Sequence, residues 1–264
     1  MAVKINEIIE EMNRIAPPEL AEEGDKIGFM VGDAERFAER VLVALDATEN
    51  VINEAIEKEA ELIITHHPFI YKPVSKICTD DALGRKTLKL IENKMAVFSA
   101  HTNLDAADGG VNDTMCSLLG LDHVEKMIYE SGTYIGRCGL LPQELTVGEL
   151  AEKLKNLLKC EFVRICGDVN DKVEKVGMCC GGGAHPAFYK EAKQAECGCF
   201  ITGDARYHDL CEAKDIDMNV IDATHYATET PVLKTLIEKL KSVFEGRGVD
   251  FILSAVEGQV FTRF

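Results

Sequence analysis

Leu62-Ile63-Ile64-Thr65-His66-His67-Pro68-Phe69 is the stretch on which the reading of this chain turns. Its apolar run, closed by a proline that fixes φ and removes a backbone donor, predicts a buried strand that cannot continue past Pro68. The two imidazoles then stand at the strand's carboxyl end, the edge at which open parallel α/β sheets bind ligands. A single histidine in a turn is ordinarily a satisfied polar group. A His-His pair at a strand end poses a sharper question, which is what the neighbouring strand ends carry.

Working outward, Val41-Leu42-Val43-Ala44-Leu45 is a second apolar run ending in Asp46, and residues 50–60 form the helix that joins it to the Leu62 strand. This is a βαβ unit with a right-handed connection. On the other side come a polar loop over 71–81, a helix over 82–93 and the strand Met95-Ala96-Val97-Phe98-Ser99-Ala100, which runs into His101-Thr102-Asn103-Leu104-Asp105. Toward the amino end, helical spacing over 3–15 is stopped by Pro17-Pro18, and a short strand lies within 25–32. Gly109-Gly110 mark a turn, after which Asn112 is expected to cap a helix over 113–119. Residues 127–141 read as extended structure broken at Gly132, Gly136 and Gly139. Thr146-Val147-Gly148-Glu149 is a capping box opening a helix to Leu158, and 161–166 read as a strand.

From there the pattern repeats. Val176-Gly177-Met178-Cys179-Cys180 ends in Gly181-Gly182-Gly183; a helix spans 187–195; Cys199-Phe200-Ile201-Thr202 ends in Gly203-Asp204; and Met218 to His225 resembles Met95 to His101. The order matches that of the first half, which points to a cryptic internal duplication. The expected fold is therefore α/β: a two-lobed, mixed-sheet, sandwich-like chain with residues 1–126 as one lobe, 127–264 as the other, and a metal site between the lobes.

The 264 residues suffice for one large α/β unit or for two smaller lobes, each with its own core. A formal net charge of −16, with no local basic patch, repels a phosphate backbone, so no nucleic-acid partner is expected. Neither a charged-then-apolar leader nor a run of about 18 apolar residues appears, so the expectation is a cytoplasmic chain with no membrane partner. The ten cysteines are then reduced thiols, most of them small core residues. Cys179-Cys180 and Cys197-Gly198-Cys199 lack the paired spacing of a structural zinc site.

Polar groups gather at the predicted strand ends: His66 and His67, His101 and Asp105, Asp204, then His225 and Glu229. Imidazole with carboxylate suits Zn²⁺, Fe²⁺, Mn²⁺ or Ni²⁺. A single ion with an open position typically takes three protein ligands, so this many donors fit two ions sharing a carboxylate. Adjacent side chains diverge, which lets His66 and His67 face different ions. For His101 two readings stand side by side, direct ligation or a hydrogen-bonding and proton-shuttling group. His225 and Glu229 lie four apart; they share a helical face if a helix starts before Thr230-Pro231, and otherwise a loop must fold them together. The Gly181-Gly182-Gly183 turn either presents amides to a phosphate or is simply a tight turn needing positive φ. His123, His185 and His208 are poorer candidates.

Taken in order, Leu45-Asp46, Thr65-His66-His67-Pro68, Ala100-His101-Thr102-Asn103-Leu104-Asp105, Gly110-Val111-Asn112-Asp113, the Gly181 turn, Ile201-Thr202-Gly203-Asp204 and His225-Tyr226-Ala227-Thr228-Glu229 resemble the Nif-three-like family, the type 2 GTP cyclohydrolase I homologues. The resemblance implies a two-lobed α/β chain in a homohexameric ring with a dinuclear metal site. By position it implies His66, His67, Asp105, His225 and Glu229 as ligands, Glu229 bridging, with His101 close by. The chain departs from that family at Thr224, where Gly is usual, at Asp204, where Glu is usual, and at Asp25-Lys26 in place of Asp-Asn. It also lacks the middle domain of longer members.

The family name implies hydrolytic opening of the guanine imidazole ring of GTP with release of formate. That chemistry asks for an activated water, a Lewis acid and a proton donor, which two metals and His101 can provide, with the Gly181 turn holding the triphosphate. The expectation is a dinuclear-metal-dependent hydrolase of a nucleotide-like small molecule, GTP favoured. The alternative is a non-catalytic metal-binding or regulatory scaffold, since such a site is not tied to one reaction.

Overall fold

In the computed structural model, which describes residues 3–127 and 132–262, the Leu62 run is a strand buried along its whole length, as its sequence predicts. It belongs to the first of two compact units. That unit comprises the residues up to Ala107 together with Leu233–Gly258; the second comprises Asp108–Val232 together with the residues from Gln259 on. A single break at 126/127 was expected; the chain instead divides at 107/108 and returns to the first unit near its end.

The first unit opens with β1 (Val3–Lys4), α1 (Ile5–Ile15), β2 (Gly28–Val31), β3 (Phe37–Ala38) and β4 (Arg40–Ala44). It continues through α2 (Glu49–Glu57), β5 (Leu62–Thr65), α3 (Ala82–Glu92), β6 (Ala96–Ser99) and α4 (Thr102–Ala106). β4, β5 and β6 run parallel in that order, with Val41 beside Leu62 and Ile63 beside Val97; β2 lies antiparallel along β6. Thr48 starts α2 by accepting the Val51 amide, and Asp81 starts α3 by accepting that of Gly84. Val51, Ile52 and Ala55 of α2 and Leu90 of α3 pack with Leu42, Ala44, Ile63 and Val97 of the sheet. Each large aliphatic side chain so buried contributes roughly 1.5–3 kcal/mol. The effect on function is positional: three parallel strands end side by side at Asp46, His66 and His101.

The second unit holds α5 (Val111–Leu119), β7 (Asp122–Met127), β8 (Gly136–Thr146), α6 (Val147–Leu158), β9 (Arg164–Cys166), β10 (Lys172–Met178), α7 (Pro186–Gln194), β11 (Cys199–Thr202), α8 (Tyr207–Asp215), β12 (Asn219–Asp222) and α9 (His225–Glu229). The Thr146 capping box is present. Asn112, expected as a cap, lies inside α5, whose N-cap is Gly110. Wholly buried, it donates to the Ile135 carbonyl at 3.0 Å and accepts the Cys180 amide at 2.9 Å, joining the chain before β8 to the chain after β10. β8 accounts for part of the extended stretch predicted over 127–141; residues 128–131 lie outside the described ones. Cys179 and Cys180 have already left β10, and α8, which buries only Ala213 fully, has too faint a periodicity to read from sequence.

The sheet of the second unit runs β7-β8-β10-β11-β12-β9. β10, β11 and β12 are parallel, and β9 lies antiparallel along β12 as β2 does along β6. The expected duplication is thus visible in topology: three parallel strands joined by helices, an antiparallel strand beside the third, and a short helix after it. α10 (Pro231–Val243) carries the chain back to the first unit, where β13 (Asp250–Leu253) pairs parallel with β4. All ten cysteines are free thiols, six of them buried.

Candidate metal centre

Each parallel strand of the first unit hands its last residue to a polar side chain. His66, buried, donates its Nδ1 proton to the Ala100 carbonyl at 2.9 Å; a carbonyl can only accept, so the lone pair of the neutral ring sits on Nε2. That nitrogen faces Asp105 Oδ1 at 3.6 Å. His67 Nδ1 meets Asp46 Oδ2 at 3.0 Å, and His101 Nδ1 meets both oxygens of Asp25, at 2.9 and 3.0 Å. The three rings are grouped with centroids 5.0, 5.4 and 5.9 Å apart. Asp105, buried on α4, completes this edge.

Asp25 also accepts the Thr102 amide at 3.1 Å and the Thr102 hydroxyl. Burial alone would raise its pKa, but the bonds from His101 and Thr102 prevail and hold the carboxyl well below the usual carboxylate range. It is therefore an ionised acceptor and fixes the His101 proton on Nδ1, with Nε2 as the working nitrogen.

The corresponding edge of the second unit repeats the pattern. Thr224 starts α9, so His225 and Glu229 share one helical face, and His225 Nε2 lies 3.0 Å from Glu229 Oε2. His225 Nδ1 meets Asp204 Oδ2 at 2.9 Å. Two acceptors this close need a proton or a cation between them, and Glu229 is almost wholly buried.

Gly181 explains itself against this pair. Its φ is +61°, and an added Cβ would collide with Glu229 Oε1 while standing 2.7 Å from Cδ and 3.2 Å from His225 Nε2. Its amide donates to Thr228 Oγ1 at 2.9 Å. Glycine is present here because the backbone passes hard against a carboxylate. Gly182 and Gly183 have no positive φ, and Gly183 is crowded by Cys179.

Thr224 shows what the departure from glycine costs. At φ 70° and ψ 149° it occupies a region essentially reserved for glycine, and it is held there with Oγ1 accepting from Gln259 Nε2 at 2.8 Å. The other histidines lie apart from this chemistry: His123 is exposed, His185 caps α7, and His208 is exposed with its ring edge-on to Tyr207.

Sequence reasoning found the imidazoles but not what holds them. In the sequence Asp25 stands at the start of the stretch that predicts a short strand and Asp46 at a strand end, and only the family's Asp-Asn pair points to the first. The structure gives all four candidate histidines one arrangement: Nδ1 on a carbonyl or carboxylate, Nε2 presented. Metal-ligating histidines are held in this way, because the outer bond fixes the tautomer and raises ligand basicity. Imidazole nitrogens beside carboxylate oxygens are the donor set that suits a divalent ion of borderline hardness.

The chain resembles known proteins over nearly its whole length. The family model described as Duf34/NIF3 (NGG1p interacting factor 3) matches residues 3–259. A Clostridium perfringens protein named GTP cyclohydrolase 1 type 2 homolog is 40% identical over 255 residues, covering 96% of each chain. A Clostridium acetobutylicum protein of the same name is 38% identical over 256 residues, covering 95% of this chain and 94% of that one. Among solved structures, a Bacillus cereus protein related to NIF3 superposes with a TM-score of 0.92 at 25% identity, over the whole of both chains. With a family match running nearly end to end, the chain belongs to the DUF34/NIF3 family.

Proposed function

We propose that this protein is a dinuclear-metal-dependent hydrolase of a nucleotide-like substrate, with cyclohydrolase-type opening of the guanine imidazole ring of GTP as the favoured reaction. The observation that carries the metal reading is the shared histidine arrangement, four Nδ1 atoms held on a carbonyl or carboxylate, with the Nε2 atoms of His66 and His225 facing the buried carboxylates of Asp105 and Glu229. His66, His67, Asp105, His225 and Glu229 are the proposed ligands. Two divalent ions would supply Lewis acidity and make water in the site more acidic.

The chain's own groups then have distinct tasks. His101, backed by the ionised Asp25, holds or moves a proton at Nε2, the division of labour of a base and its orienting carboxylate. Asp46 and Asp204 keep His67 and His225 in the ligating tautomer. With the Gly181 amide engaged by Thr228, contact with a substrate phosphate falls to Gly182 and Gly183. The substrate and the reaction draw on the names of the clostridial relatives; a homohexameric assembly draws on the family resemblance, and a cytoplasmic location on a sequence with no bilayer-spanning apolar run.

The test begins with metal per subunit in protein purified without chelator, measured alongside Asp105→Ala and Glu229→Ala. About two ions, falling in both variants, followed by metal-dependent GTP turnover with formate release, is the expected result. Tight metal binding with no turnover over a broad nucleotide panel would favour the scaffold reading. No metal after reconstitution with Zn²⁺, Fe²⁺ or Mn²⁺ would overturn the site.

A further inference from the structure

Glu257 lies far from every motif in the sequence, yet its carboxylate sits on the machinery of the first unit. It is half-buried between exposed neighbours, with Oε2 accepting the Leu45 amide and Oε1 the Asp46 amide, both at 2.8 Å. Those are the first two residues beyond β4, and the Asp46 side chain is the group that holds His67 Nδ1.

The segment that delivers Glu257 is fastened at several points. β13 runs in register with β4, and Ser254 continues the ladder by donating its amide to the Val43 carbonyl at 2.9 Å. Buried Glu54 of α2 then accepts the Ser254 hydroxyl at 2.6 Å and the Ala255 amide at 3.0 Å. On the far side of Asp46, Lys86 donates to the Ala47 carbonyl at 3.1 Å. A bidentate carboxylate on two successive amides is a charge-assisted clamp of defined direction. Here it sets the orientation of a turn whose one polar side chain reaches a proposed ligand.

We infer that Glu257 is a positioning residue of the metal centre: it fixes the Leu45-Asp46 turn, and through Asp46 it fixes the ligating face of His67. The inference rests on the metal reading above. Groups one step removed from a ligating histidine typically change metal affinity 10–100-fold, and Glu257, one step further out, belongs at the lower end.

The experiment compares the full-length parent, Glu257→Ala, Asp46→Ala and the double variant, titrating metal-free protein with Zn²⁺ against a competing chelator dye. Amide hydrogen exchange is followed without metal. Glu257→Ala is expected to weaken Zn²⁺ binding about tenfold, to speed exchange at the Leu45 and Asp46 amides, and to add no further loss in the Asp46→Ala background. Glu257→Gln keeps the length and one acceptor, should fall between, and serves if the alanine variant does not fold. Unchanged Zn²⁺ affinity in folded Glu257 variants, or losses that simply add in the double variant, would overturn the positioning role while leaving the metal site standing. A parent chain that binds no Zn²⁺, Mn²⁺ or Fe²⁺ would instead overturn the metal reading, and this inference with it.

Discussion

Gly181→Ala tests the second unit's metal edge with a single methyl group. The substitution meets two costs. A non-glycine residue at φ +61° is strained by about 1–2 kcal/mol. The larger effect is steric, because the new Cβ would overlap Glu229 Oε1 and lie 2.7 Å from Cδ, whereas ordinary contact starts at 3.4 Å. The carboxylate must therefore retreat by more than about an ångström, several times the roughly 0.2 Å by which metal–ligand distances tolerate error. Melting by scanning calorimetry should show a loss of a few degrees, since about 1 kcal/mol corresponds to roughly 2–4 °C in a chain of this size. Competition titration with Zn²⁺ should show at least about a hundredfold weaker binding, some 2.7 kcal/mol, as expected when a ligand is displaced. Gly182→Ala is the control: its Cβ would meet only His225 Cε1, at 3.9 Å, and should bind as the parent does. A Gly181→Ala protein with parental Zn²⁺ affinity would refute the assignment of Glu229 as a ligand approached by this turn.

Asp46→Asn and Asp204→Asn should each weaken Zn²⁺ binding about 10–100-fold in the same titration with little change in melting temperature, because each removes the charge behind a ligating histidine; an unchanged affinity in both would refute the shared arrangement. Asp25→Asn should lose about 1.5–3 kcal/mol in urea unfolding at neutral pH, the worth of hydrogen bonds to a charged acceptor. The folded Asp25 carboxyl is held below its unfolded value, so its contribution is full above about pH 5 and disappears as pH falls toward the folded value. The gap between parent and variant should therefore close on acidification, and a gap that widened would refute the assignment. Thr224→Gly should stabilise the protein by up to about 1 kcal/mol, as relief of backbone strain outweighs the lost hydroxyl contacts; urea melts showing a loss of more than about 1 kcal/mol would contradict this.

The elements that were legible in the sequence are those whose physics is local. The Leu62 run, the Thr146 capping box and the placement of His66 and His67 at a strand end depend on a few adjacent residues, and the replay of strand and helix in the second half follows from the same patterning. What escaped reading depends on partners far along the chain. Asp25 reaches His101 across 76 positions and Glu257 reaches Leu45 across 212, and no periodicity marks either carboxylate. Asn112 looked like a cap because it stands near a helix start, but its amide serves a buried junction between two strand ends. Gly181 was legible as a residue that permits positive φ; its near contact with Glu229 was not, because that requires knowing which helix face looks back at the turn. The division into units was misplaced for a related reason, since the β13–β4 pairing joins residues at opposite ends of the chain.

That pairing also constrains the order in which the molecule can be assembled. During synthesis β4 is available early, but the strand that covers its outer edge is Asp250–Leu253, made only after Asp108–Val232 of the second unit. Until then β4, with Val41, Leu42, Val43 and Ala44 buried in the finished fold, presents an open apolar edge on the nascent chain. Such an edge is a template for pairing with other chains, and closing it over so long a loop is intrinsically slow. The late strand is thus a gate on productive folding, and substitutions that weaken it should appear first as poor yield from the ribosome and aggregation of young chains, before they register as a less stable mature protein.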